Sequence, residues 1–197
     1  VIRVKRDSLL QGLYLVGGAT TTKNTLPILS NILCQTKDKS IELIATDLDV
    51  GISADIEAEI IEGGAITIPA KKFTEIIKEL PESVVIITIK KNNIVNIECE
   101  NIFFKIMGIP KEEFPKLPQL SNKNKITLPQ KTLKEMLMKT LFAVSQDKTR
   151  YVLNGILFVV KENEMRLVAT DGRRLAIIKK HPELPKNINI KAVVPTK

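Results

Sequence analysis

Tryptophan is absent from this 197-residue chain, and the other aromatics are two tyrosines and six phenylalanines. Any core must therefore be built mainly from Ile, Leu and Val. Histidine occurs once and cysteine twice. That is too few for a His/Cys metal cluster or a disulfide framework, so no metal and no other cofactor is expected. Cys34 and Cys99 read as half-buried thiols of a reducing compartment. No apolar run approaches the ~20 residues of a membrane-spanning helix. The opening "VIRVKRDSLL" lacks the long apolar stretch of a signal peptide. Acidic residues are outnumbered, 22 against 30 basic ones, which leaves a net charge of +8. Such a balance permits nucleic acid or an anionic membrane as a partner without selecting either. The 44% of hydrophobic residues is enough for real cores.

What is present is a repeat. "IELIATDLDVG" (41–51) is echoed by "RLVATDGRRLA" (166–176), with the two Ala-Thr-Asp runs 124 positions apart. At that offset Ile28-Leu29 meets Val152-Leu153, Ile32-Leu33 meets Ile156-Leu157, and Leu9 and Leu13 meet Leu133 and Leu137. Ungapped agreement over residues 9–47 points to one domain used twice. A shorter period lies inside it. "VKRDSLL" (4–10), "IPAKKFT" (68–74) and "LPQKTLK" (128–134) each run from a strand end into a helix start, and "VPTK" (194–197) begins the pattern again. The starts are spaced by 60–66 residues, so two half-domain units make one domain.

Each unit reads as a helix followed by antiparallel strands. Pro69 suits a helix entry, where its missing N–H is not needed. Phe73, Ile76, Ile77 and Leu80 then form one helical face, and Pro81 stops it. Leu133, Met136, Leu137 and Leu141 predict the same face in the third unit. β-Branched runs around Lys91-Asn92-Asn93 read as a hairpin, followed by a strand over "NIFFKI" (101–106). The class is α+β, with helices on one face of antiparallel sheet. Residues 108–125, with three of the chain's prolines, read as a linker. Phe103, Phe104 and Phe158 are expected in cores, and His181 in a loop.

Two chemistries compete for the repeated motif. Asp47-Leu48-Asp49 after an apolar strand could begin a two-carboxylate Mg²⁺ hydrolase site. The repeat argues against that, because the matching positions are Asp171 and Arg173 and only one carboxylate is kept. The shared Asp is better read as a turn residue that accepts backbone N–H groups. The lysines behave differently. Lys71, Lys72 and Lys78 lie off the apolar face of the second-unit helix, and Lys131, Lys134 and Lys139 repeat the charge on the third. A solvated helix face explains any one helix. Repetition favours a surface that meets phosphates without reading sequence. The lysines have no interleaved aromatics, which argues against stacking on single strands.

"NTLPILSNIL", "ATDLDVGI", "GAITIPAKKF", "EEFPKLP", "RYVLNGILF" and "ATDGRRLA" resemble the bacterial DNA polymerase III beta subunit, the sliding clamp family, in register over essentially the whole chain. The resemblance implies a cytoplasmic bacterial, non-enzymatic processivity factor. It implies a clamp fold of three domains per chain, with two chains closed head to tail around duplex DNA. Here it assigns residues 1–122 to the first domain and 123–197 to part of the second. Its implied partners are duplex DNA, the DNA polymerase III alpha subunit, the clamp loader and other proteins with a clamp-binding motif. Lys23, Arg150 and Tyr151 match family positions near DNA and join Lys71, Lys72, Lys78, Lys131 and Lys134. Leu153, Thr170, Gly172, Arg173, Arg174 and Leu175 match the pocket that takes partner peptides, with Arg173 standing where many members have His. The alternative is a non-ring DNA-binding or protein-interaction scaffold of the same repeats. The pattern also predicts continuation: "VPTK" opens a half-domain, and the family adds a third domain.

Overall fold

The computed structural model describes residues 1–21, 26–117, 126–147, 149–184 and 188–196. They fall into two compact units, Val1–Pro118 and Gln119–Lys197.

The first unit interlocks two halves. One half runs β1 (Ile2–Lys5), α1 (Arg6–Gly17), β2 (Asn31–Thr36), β3 (Ser40–Thr46) and β4 (Gly51–Glu57). After the short β5 (Glu59–Ile60), the other runs β6 (Ala65–Pro69), α2 (Ala70–Glu79), β7 (Val84–Ile89), β8 (Ile94–Cys99) and β9 (Ile102–Met107). The leading strand of each half pairs with the other half: β1 lies against β7, and β6 against β2. The sheets are therefore β5-β1-β7-β8-β9 and β4-β3-β2-β6, all antiparallel pairings. Neither half can close its sheet alone. One core serves both, with Leu9 of α1, Phe73 of α2, Ile2 and Ile87 of one sheet and Leu43 and Ile68 of the other around a shared apolar centre. Phe73, Ile77 and Leu80 are buried and Ile76 half-buried, as the 3.6-residue spacing predicts. α1 approaches β4 so closely that a Cβ on Gly12 would stand 1.8 Å from the Ile56 side chain.

The second unit repeats the first in register. It contains α3 (Gln130–Met138), β10 (Gly155–Lys161), β11 (Glu164–Thr170), β12 (Leu175–Lys180) and β13 (Asn189–Pro195). Leu33 faces Ile44 and Leu157 faces Val168; Ala45 faces Ile52 and Ala169 faces Ala176. Every pair is displaced by the 124 residues of the sequence repeat. The loops follow: Thr21 N–H donates to the Leu29 carbonyl at 3.1 Å, and Ser145 N–H to the Leu153 carbonyl at 3.0 Å. β13 takes the place of β6, since Gly155 faces Pro195 as Asn31 faces Pro69.

Three expectations are corrected. Leu141 does not extend the face of α3, which ends at Met138; Leu141 opens a separate 3-10 turn and is exposed. The Thr140 hydroxyl donates to the Met136 and Leu137 carbonyls at 3.0 and 3.3 Å, which competes with helix propagation. Phe103 and Phe104 are not core: they sit exposed on β9, an edge strand, while Phe158 is half-buried. Finally, residues 108–117 are not a free linker. Ile109 exchanges both backbone hydrogen bonds with Thr67, at 2.9 and 3.0 Å, and covers the outer edge of β6. Gly108 makes this possible, because a Cβ there would meet the Thr67 carbonyl at 2.8 Å. Phe114 is then buried, and Leu117 rests over Gly51. The rest of the expected linker, 118–125, lies outside the described residues.

Candidate nucleic-acid interface and peptide site

The repeated Ala-Thr-Asp builds the same hairpin loop twice. Asp47 Oδ1 accepts the N–H groups of Asp49 and Val50 at 3.1 and 2.8 Å. Asp171 Oδ1 accepts those of Arg173 and Arg174 at 2.9 and 3.0 Å. The preceding threonine bridges each loop. Thr46 Oγ1 donates to the Val50 carbonyl at 2.9 Å and Thr170 Oγ1 to the Arg174 carbonyl at 2.7 Å. The residue after each Asp is left-handed, Leu48 at φ 79° and Gly172 at φ 87°. The two backbone N–H groups, and then the Arg174 guanidinium, hold the Asp171 carboxyl below the usual carboxylate range. Asp47 and Asp171 each spend Oδ1 on the N–H groups of their own turn, so the shared carboxylate is a folding device.

In the second unit this loop gathers other groups. The Arg174 guanidinium lies over the Phe142 ring, 5.7 Å from its centre, and its Nε donates to Asp171 at 2.9 Å. Arg150 reaches the same place: its Nη1 is 3.3 Å from where a Cβ on Gly172 would stand, and its Nε is 3.8 Å from Asp147. The Asp147 carboxyl is pulled down in pKa first by the Thr149 hydroxyl and then by the Thr149 N–H. Leu153 is half-buried in a 3-10 turn tied to Arg150, whose carbonyl accepts the Leu153 N–H at 2.8 Å. Leu175 is exposed beside Arg173 and Arg174. Arg150, Gly172 and Arg174 thus form one neighbourhood of cationic and apolar groups. Phe142 and Asp147 belong to it too, and no sequence pattern marked them.

The lysines sit on the opposite side of their helices from the core. Lys71, Lys72 and Lys78 are exposed on α2, and Lys131 and Lys134 on α3. Lys139 is engaged, donating to Glu135 at 2.8 Å. α2 is held at its end by Arg6, whose Nε donates to the Ile77 carbonyl at 3.1 Å and whose Nη2 donates to the Lys78 carbonyl. A cation on the last carbonyls of a helix is well placed against its dipole. Tyr151 is 80% exposed. Lys23 lies outside the described residues.

Comparison with known proteins settles the family. Residues 1–118 match the DNA polymerase III beta subunit, N-terminal domain, and residues 127–197 match its central domain. The chain belongs to the DNA polymerase III beta subunit family. The beta sliding clamp of Chlamydia pneumoniae is 33% identical over 194 residues, which is 98% of this chain and 53% of that protein. The crystal structure of the DNA polymerase sliding clamp from Bacillus subtilis superposes with a TM-score of 0.93 at 29% identity, covering 98% of this chain and 53% of that one. A sliding clamp from Pseudomonas aeruginosa bound to griselimycin gives 0.91 at 31% identity, with 98% and 53% covered. The chain spans about half the length of the relatives it matches. The match to clamp structures agrees with the α+β reading. Among the described residues no helix is long and apolar enough to cross a membrane.

Proposed function

We propose that this chain supplies the first domain, about residues 1–122, and part of the second, 123–197, of a replicative sliding clamp: a non-enzymatic processivity factor that encircles duplex DNA and tethers DNA polymerase III. The carrying observation is the repeated placement of exposed lysines on the solvent faces of α2 and α3, whose other faces are fixed in the cores. Such lysines act as point charges on phosphates and discriminate poorly among sequences. Topology then holds the ring, so contacts can stay weak enough to slide. Head-to-tail pairing of full-length chains is supported by β9, an edge strand that exposes Ile102, Phe103, Phe104 and Met107. Rings in electron micrographs of the full-length protein support this reading; filaments or monomers favour a non-ring scaffold.

Replacing Lys71, Lys78 and Lys131 together with alanine tests the phosphate surface. Three lost contacts flatten the log–log salt dependence of duplex binding by about 2.7 and weaken binding similarly for all sequences. A much larger loss on one sequence than on another would refute the phosphate surface.

The neighbourhood of Leu153, Thr170, Gly172, Arg173, Arg174 and Leu175 is read as part of the site for polymerase alpha-subunit, clamp-loader and other partner peptides. Exposed Leu175 offers apolar contact, and Arg174 is pre-oriented by Phe142 and Asp171. Arg174→Ala or Leu175→Ala in the full-length protein should weaken a polymerase-derived peptide about tenfold with unchanged melting temperature. Peptide titration calorimetry reads this out, and equal affinities would exclude these side chains from the site.

A further inference from the structure

The first unit contains its own copy of the loop read above as part of the peptide site. At the 124-residue offset Leu153 corresponds to Leu29, Thr170 to Thr46, Arg173 to Asp49 and Leu175 to Gly51. This copy is already covered. Leu29 and Thr46 are 0% and 2% exposed, and a Cβ on Gly51 would stand 3.0 Å from Leu117 Cδ2. The backbone does not demand a glycine at position 51, since the glycine described with a left-handed φ is Gly172. The missing side chain of Gly51 instead leaves the space that the Leu117 side chain fills. At the matching position Leu175 supplies an exposed side chain of its own. The covering segment has the course of a docked peptide. Asn31 faces Pro69 and Thr46 faces Gly51, so the starts of β2 and β4 and the ends of β3 and β6 share one end of the sheet. Ile109 pairs with Thr67 of β6, the turn Lys111–Glu113 stays beside β6, and Leu117 reaches the start of β4. β6 and β4 are the outer strands of that sheet, three spacings or about 14 Å apart. Extended backbone from Glu113 to Leu117 covers about 13 Å, and Phe114 on the way is extended and buried.

We propose that residues 109–117 are the built-in occupant of a second peptide site, which the first unit thereby holds closed against partners. The comparison with the second unit rests on the partner-peptide reading of Arg174 and Leu175. The ligand class is an extended peptide with two apolar anchors three positions apart and a cation between them, as in Phe114-Pro115-Lys116-Leu117. Lys116 is exposed, and the loop offers Asp49 where the second unit has Arg173. The two copies therefore carry rims of opposite charge, and a peptide suited to one is poorly suited to the other. Pro110 and Pro115 stiffen the segment, which lowers the entropy lost when it docks. Its tether keeps it at an effective concentration on the order of mM, so a free peptide of equal intrinsic affinity competes poorly.

Leu117→Asp in the full-length protein should unseat the segment, because it puts a carboxylate into an apolar space beside an acidic loop. Thr67 and Ile109 protect each other's amides, and hydrogen exchange at both should then speed up at least about tenfold. Leu117→Ala repeats the test with a smaller disturbance, and circular dichroism checks that each variant is folded. The probe is a synthetic peptide of residues 108–118, GIPKEEFPKLP, with a photoreactive leucine analogue at the Leu117 position. It should label residues 46–51 saturably on Leu117→Asp, at least about tenfold more than on wild type, where the tethered segment keeps the competent fraction small. Adding Gly51→Leu to Leu117→Asp refills the space and should abolish the labelling. Fast exchange without labelling would make the loop a packing surface only, and the second site falls. Unchanged exchange in both Leu117 variants would mean that Leu117 does not hold the segment, which overturns the proposal as well. Labelling that survives Gly51→Leu would put the peptide elsewhere, with the same consequence. A polymerase-derived peptide carrying the same photoreactive group tests the other reading separately. If it fails to label residues 170–175 while the labelling of 46–51 behaves as expected, the partner-peptide reading is lost and the first-unit site stands.

Discussion

Phe73→Ala should remove about 3–5 kcal/mol from the first unit, the cost of deleting a fully buried phenyl group, and leave duplex binding of the still-folded protein nearly unchanged. Phe73 has no exposed surface and faces residues of both sheets and α1. The strands around it are paired on both sides of the core, so the site cannot collapse to fill the void. A loss of this size is a large fraction of the ~5–15 kcal/mol that stabilises a typical domain. In calorimetry the transition of the first unit should fall by roughly 10–20 °C, with that of the second unit in place. The lysines project from the other side of the same helix, so below the transition the affinity should change less than about threefold. The triple lysine variant should show the reverse, weak binding and normal melting. If Phe73→Ala melts normally, the shared core is wrong. If it binds duplex poorly while folded, the face that packs and the face that binds are not separable.

How much of this was legible from sequence differs by element, for physical reasons. The faces of α2 were readable because burial of Phe73, Ile76, Ile77 and Leu80 repeats with the helix period. Register was readable because a strand slipped by one residue would turn its apolar set outward, so a 124-residue repeat of apolar positions carries the pairing with it. The turn role of Asp47 and Asp171 followed from the repeat keeping only the first carboxylate. Other features left no such trace. The strap at Ile109 is made by backbone groups, and its one mark is a glycine that permits close approach. The end of α3 turns on a single hydroxyl of Thr140. Consecutive Phe103 and Phe104 must point to opposite faces of β9, and both are exposed because β9 is an edge strand. The approach of Arg150 to Gly172, and of Arg174 to Phe142, joins residues more than 20 apart through tertiary packing.

Alkaline pH should destabilise the first unit through one thiol. Cys34 is buried in the core between Leu43 and Ile66 of the neighbouring strands. Burial pushes its pKa from an ordinary value near 9.0 up to about 12, because a thiolate there would have no solvent and no cation. Below about pH 9 the thiol is protonated folded and unfolded, and it contributes no slope. Above that the unfolded chain releases the proton while the folded chain keeps it. Stability then falls by about 1.4 kcal/mol per pH unit until the folded pKa is reached, on the order of 4 kcal/mol in all. Cys99 is also raised, chiefly by burial, and adds a slope of the same sign. Cys34→Val removes the larger contribution and leaves Cys99 as an internal constant. Urea unfolding under reductant at about pH 8 and about pH 10.5 should therefore show wild type losing about 2 kcal/mol more than Cys34→Val between the two. Every other group is common to both proteins and cancels in that difference. Equal losses would mean that the thiolate finds water or a cation in the folded state, and the tight seal around Phe73 and Cys34 would have to be abandoned with it.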